Sequence, residues 1–295
     1  MTTLSDQIRS VAREFHGVDT VEGAGVKLRR MFGNSEVPLL DPFLLLDNFR
    51  STDPADYVAG FPWHPHRGIE TVTYMLDGRV EHGDSLGNEG AIEAGDVQWM
   101  SSGSGILHQE MPQRKEGLLE GFQLWVNLPA AQKMSTPTYR GLRAPEIPTV
   151  RGADGSTVKV VAGSFGSVEG PVKGLSVDPT YLDIDLPAGT TFRHPVARGY
   201  TAFAYPLAGT GRLDAASPAG TLALRRAALL GDGDRVEVRA GEEGLRFLLV
   251  AGRPLREPVA WYGPIVMNRP EELEQAVREL RRGDFIKERR PIIEE

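Results

Sequence analysis

Short apolar stretches punctuated by glycine and proline run along most of this chain of 295 residues. Glycine occurs 34 times and proline 21 times, and that rhythm predicts many short strands joined by tight turns, an all-β sandwich or barrel. The clearest predicted strands are Val37–Asp47, Glu70–Leu76, Gly90–Glu93, Asp96–Ser101 and Gly121–Asn127 in the first half. In the second half they are Thr157–Ala162, Thr180–Asp185, Thr201–Leu207, Arg225–Leu230, Asp234–Ala240 and Leu245–Ala251. Turn signals separate them, among them Asp77-Gly78, Ala94-Gly95-Asp96, Ala188-Gly189 and Gly231-Asp232-Gly233-Asp234. Each half runs strand, turn, strand and then a Gly-Asp step into a further strand. Two related β-barrels are therefore expected, one over residues 1–135 and one over residues 136–295, with a linker around Pro129–Pro148 that shows no strong periodicity.

The pattern changes period once. Leu273, Ala276, Val277 and Leu280 recur at i, i+3, i+4 and i+7, one apolar stripe of a helix. Asn268 is its predicted N-cap, with Glu271 three residues on and Pro270 tolerated in the first turn. Arg278, Arg281 and Arg282 suit the C-terminal end of the dipole, and Gly283 supplies the stop. A terminal helix with one apolar face is expected to clasp a barrel. The charged residues Lys287 to Glu295 are expected to form a loose arm.

Composition narrows the function classes. A net charge of −7 and a pI near 5.5 argue against a surface dominated by nucleic-acid binding. No apolar run approaches the ~20 residues of a membrane helix. The start, Met1-Thr2-Thr3-Leu4-Ser5-Asp6, has no basic or apolar leader region, so a cytoplasmic location is expected. Cysteine is absent, which rules out disulfides, thiolate nucleophiles, thiolate zinc sites and iron–sulfur clusters. Any metal must be held by nitrogen and oxygen.

Two pairs of such donors stand out. His64 and His66 are two residues apart, and so are His108 and Glu110. Residues two apart on a strand share a face, so two facing strands would aim three imidazoles and one carboxylate at one point. Those ligands suit divalent Fe, Mn, Co, Ni, Cu or Zn. An octahedral ion would keep two open positions, whereas tetrahedral zinc would be closed. Glu70 keeps the parity of the histidines if the strand is regular, and is then a ligand or an acceptor for an imidazole N–H, but a bulge at Gly68 would spoil that parity. His82, in a polar turn-rich segment, is expected near the barrel mouth and off the metal. His194 has no partner two residues away, and His16 lies in a polar surface stretch. Trp63, Trp99, Phe61, Met75 and Phe122 read as barrel core, with an aromatic slot for a flat ligand as the alternative. Gly103-Ser104-Gly105 is not followed by a helix and makes no phosphate cradle. Ser101, Ser102 and Ser104 lack the motif of a nucleophile.

The spacing Gly60, His64-x-His66-x3-Glu70, Gly78, then Gly95, Gly103, His108 resembles the two cupin motifs. More closely, HPHRGIETVTYMLDG, GDVQWMSSGSGILHQEMP and GFQLWVNLP resemble the pirin family, as do LLDPFLLLDNF and GPIVMNRPEELEQAVRELRRG. The resemblance spans residues 39 to 283. Ser101 in place of the general motif's proline, and a His108 that falls two positions late, match pirins rather than cupins at large. The resemblance implies a bicupin, two face-to-face barrels with a metal only in the N-terminal one. It places the ligands at His64, His66, His108 and Glu110, lowers Glu70 as a candidate, and makes Fe(II) the expected metal. It implies a quercetin 2,3-dioxygenase that opens a flavonol with O2, with Glu110 as general base. The alternative is a redox-responsive, metal-gated module that binds a transcription regulator or a metabolic enzyme.

Overall fold

The protein is described here by a computed structural model, over residues 7–213 and 220–288. Of the expected charged arm, Lys287 to Glu295, only Lys287 and Glu288 are among the described residues, and residues 1–6 lie outside them. The architecture is all-β with one helix, and among the described residues the sheets are open rather than closed into barrels. No helix among them is long and apolar enough to cross a membrane.

In chain order the first twelve strands are β1 (Val11–Phe15), β2 (Val18–Glu22), β3 (Val26–Phe32), β4 (Phe43–Ser51), β5 (Phe61–His66) and β6 (Ile69–Asp77), followed by β7 (Arg79–Asp84), β8 (Glu89–Glu93), β9 (Val97–Ser101), β10 (Ile106–Pro112), β11 (Leu119–Asn127) and β12 (Thr138–Leu142). The strands β2 to β12 form two antiparallel sheets, ordered β12-β9-β6-β11-β4-β3-β2 and β5-β10-β7-β8. Side chains from both pack into one core: Val26, Leu28, Phe49 and Met75 from the larger sheet meet Val80 and Ile92 from the smaller. That core carries the histidine pairs.

One compact unit combines Val18–Ala144 with Leu255–Glu295; the other combines Met1–Gly17 with Pro145–Pro254. The ends cross because each completes the unit at the other end of the sequence. β1 pairs antiparallel with Ala227–Leu230. The helix α1 (Pro270–Arg282) buries its stripe with Ile265, Met267 and Phe285, beside the Ala260–Tyr262 and Ile265–Met267 hairpin. The expected N-cap shifts by one residue: Arg269 is the cap, and Glu272 rather than Glu271 accepts from the Asn268 and Arg269 amides, at 3.0 Å each. Gly283 ends the helix in the left-handed region.

Among its described residues the other unit carries a nine-stranded antiparallel sheet around a mainly aliphatic core, and a small hairpin of Ser164–Phe165 with Val168–Glu169. There the predicted strands Asp234–Ala240 and Leu245–Ala251 are one continuous strand, Arg235–Gly252, and Arg225–Leu230 shortens to Ala227–Leu230. The partner strand Thr201–Leu213 absorbs the irregularity with register shifts at Pro206/Ala208 and Gly209/Gly211.

Candidate metal centre

Strands β5 and β10 pair antiparallel with His108 opposite His64 and Ile106 opposite His66. β10 also pairs with β7, placing Glu110 opposite His82. Cross-strand partners share a face, so the two donor pairs project into the same interior. The ring nitrogens of His64, His66 and His108 lie within 4.8 Å of one another. His64 Nε2 and His66 Nε2 are 3.1 Å apart. His64 Nδ1 donates to Pro62 O at 2.9 Å and His66 Nδ1 donates to Pro264 O at 3.2 Å. Those bonds leave both Nε2 lone pairs turned towards each other. His108 Nε2 is buried with no hydrogen-bond partner. Two Nε2 atoms that have only each other, and a third with no partner, thus lie on three converging rings, an arrangement that a cation resolves.

Electrostatics point the same way. Burial holds the His64, His66 and His108 imidazoles below their ordinary value, His66 down to about 3, and the neighbouring rings push His66 and His108 further. The neutral form that can ligate is therefore the resident form at neutral pH.

Glu110 faces the same interior without joining the three-imidazole group. Thr73 Oγ1 donates to its Oε1 and Gln123 Nε2 to its Oε2, both at 2.9 Å. Burial raises its pKa, and those two donors oppose the rise only in part. Thr73 and Gln123 escaped notice in the sequence because neither belongs to a ligand motif. They are cross-strand partners on β6 and β11, a signal visible only once the register is known.

Glu70 is on the other face of β6. It lies three residues from Thr73, and its Oε2 accepts from Trp99 Nε1 at 3.2 Å. Gly68, at φ +78°, separates β5 from β6 and breaks the parity with His66. His82 is buried beneath a cleft separate from the histidine cavity; its Nε2 is 2.9 Å from the Tyr139 hydroxyl, and the two rings stack. His194 is buried in the other unit beside Phe165 and Phe192, and His16 is exposed. Ser102 braces the backbone: its hydroxyl donates to Ile69 O at 2.7 Å and accepts from Ile69 N.

A cavity of about 790 Å³ opens onto His64, His66 and Glu110. Of the expected aromatics only Phe61 lines it; Trp99, Met75 and Phe122 are core and Trp63 is 55% exposed. Trp125 and Trp261 form the aromatic wall instead, with the Trp125 ring edge-on to His66 at 5.0 Å. Val26, Leu28 and Phe49 supply apolar surface. At the polar side Arg30 grips Asp47 through two bonds of 2.7 and 2.8 Å and reaches Glu22 at 2.9 Å.

Comparison with known proteins agrees with this architecture. Residues 25–126 match the Pirin family model and residues 181–286 the Pirin C-terminal cupin domain. The chain is 46% identical to a pirin-like protein of Caulobacter vibrioides, over 94% of this chain and 99% of that one. It is 42% identical to pirin of Homo sapiens over 88% of each. A crystal structure of quercetin 2,3-dioxygenase from Acinetobacter baumannii superposes with a TM-score of 0.85 at 32% identity, covering 95% of this chain and 99% of that one. The three-histidine cluster therefore sits in a two-cupin chain that belongs to the pirin family.

Proposed function

We propose that this chain is a metal-dependent dioxygenase that opens the ring of a flavonol such as quercetin with O2. The observation that carries the reading is the convergence of three imidazoles, His108 with a buried unpartnered Nε2, beside a cavity lined by His64, His66 and the buried Glu110 carboxylate. His64, His66 and His108 would hold the ion through nitrogen and Glu110 through oxygen, and Fe(II) is the proposed metal. The A. baumannii structure, named as a quercetin 2,3-dioxygenase, supports the same class of substrate.

When bound, the ion supplies Lewis acidity that lowers the pKa of a flavonol hydroxyl. The chain supplies the rest. Glu110, made more basic by burial, takes the hydroxyl proton, while Thr73 and Gln123 keep the carboxylate aimed. Trp125, Trp261 and Phe61 offer flat apolar surface to an aromatic substrate, and a cavity of about 790 Å³ lies within the usual range for ligands of that size. O2 then opens the flavonolate ring and carbon monoxide leaves. Metal analysis beside O2 uptake and carbon monoxide release with quercetin tests this reading. Iron-loaded protein that consumes no O2 with quercetin overturns it.

A further inference from the structure

The two histidines of β5 are oriented by different parts of the chain. His64 Nδ1 meets Pro62 O, two residues back on its own strand. His66 Nδ1 meets Pro264 O, 198 positions later. One ring is fixed locally; the other depends on where the 263–286 segment lies.

Arg67, the residue after His66, holds that segment down. It is 1% exposed. Its Nε donates to Ser104 O at 2.7 Å, on the turn leading into β10 and His108. Its Nη2 donates to Phe285 O at 2.9 Å and lies 2.7 Å from Glu279 of α1. The guanidinium carbon stands 4.1 Å from the centre of the Phe285 ring. Its carbonyl accepts from Val266 N at 3.0 Å. The buried Lys133 ammonium bridges the same junction, donating to Gly68 O at 2.8 Å and Val266 O at 3.0 Å. Only a fork of several fixed donors can tie a turn, a strap and a helix at once, and Glu279 supplies the charge that a buried guanidinium requires.

We infer that Arg67 is a positioning residue of the metal centre: it clamps the 263–286 strap so that the Pro264 carbonyl fixes the His66 ring. The inference rests on the reading that the three histidines hold a metal. Outer partners of ligating histidines are typically worth ~10–100-fold in metal affinity, so the last part of the chain sets the affinity of a site formed by strands near its start.

The test is a chelator-competition titration of Co(II) into the full chain, wild type against Arg67→Lys and Glu279→Gln. It is joined by NMR of the histidine ring protons in the zinc-loaded forms. Arg67→Lys keeps the charge and loses the fork. It is expected to weaken Co(II) binding by ~10–100-fold and to remove the His66 Nδ1–H signal while leaving that of His64. Glu279→Gln is expected to shift both readings in the same direction by less, and it decides the matter if Arg67→Lys does not fold. Folded variants that bind Co(II) like wild type overturn the clamp, and so does equal loss of the His64 and His66 signals. A wild-type protein that binds neither metal overturns the metal site itself, and the clamp with it.

Discussion

Two buried glutamates, Glu70 on β6 of the larger sheet and Glu110 on β10 of the smaller, are set up for different work. Glu110 is gripped by two donors and faces the imidazoles; Glu70 has one long bond from the Trp99 indole and faces away. Glu110→Gln preserves the shape and removes the base. Metal content by elemental analysis is expected to stay close to wild type, while turnover of quercetin falls by ~10²–10⁴. Retained turnover would remove Glu110 from the proton step. Burial pushes the Glu70 carboxyl up from 4.5 to about 7. Between those values the folded protein keeps a proton that the unfolded chain has released, so stability is highest below pH 4.5 and is lost as the pH rises through 7. Glu70→Gln abolishes that loss. In urea unfolding the variant should match wild type at pH 4.5 and exceed it at pH 8 by on the order of 2–3 kcal/mol; an equal difference at both pH values would refute the assignment. The convergence of the three imidazoles was legible in the i, i+2 spacing. The sequence left Glu70 two readings, with Gly68 as the residue that decides between them, and the partners of Glu110 are hidden in cross-strand register.

At the scale of elements, turn chemistry and helix period were the readable signals, and charged strands were the unreadable ones. β1, β2 and β3 passed as polar sequence because their alternate residues are charged and exposed: Arg13, Asp19, Lys27 and Arg29 conceal Phe15, Val26, Leu28 and Met31. β12 falls within the expected linker, yet it extends the larger sheet by pairing with β9. The junction of β5, β6 and the strap shows how tight one contact can be. A Cβ on Gly68 would lie 2.0 Å from Val266 O, at φ +78°. Gly68→Ala therefore meets both steric overlap and a left-handed backbone, whereas Gly174→Ala, at φ +71° with nothing within 4 Å, meets only the second. Thermal unfolding should show a loss of ~1 kcal/mol for Gly174→Ala and ~3 kcal/mol or more for Gly68→Ala. The Gly68 variant should also show faster amide exchange in α1. Similar losses in the two variants would mean that the strap is not pressed against the junction.

At the scale of the whole molecule, the sequence suggested two halves cut at one point, and the repeat of strand and turn in each half made that cut natural. In the structure β1 pairs with Ala227–Leu230, and the α1 segment is tied to the first half through Arg67, which reaches Glu279 and Phe285. Both ligand strands belong to a single unit, so metal should stabilise that unit alone. Loading at 100 times the dissociation constant is worth ~2.7 kcal/mol. Hydrogen exchange with and without chelator should show the difference in β5, β10 and the 263–286 strap, with Thr201–Leu213 unchanged. A uniform change across both units would contradict this.

The crossing of the chain ends also imposes an order on synthesis. A ribosome delivers β5 and β10 well before the Pro264 carbonyl that steadies His66, which comes 198 positions after that histidine. In the interval the histidines lie open on an unfinished sandwich, able to meet metal but without the strap that orients them. If the three histidines hold a metal, the site is thus expected to reach its full affinity only once the 263–286 strap has been made and has docked.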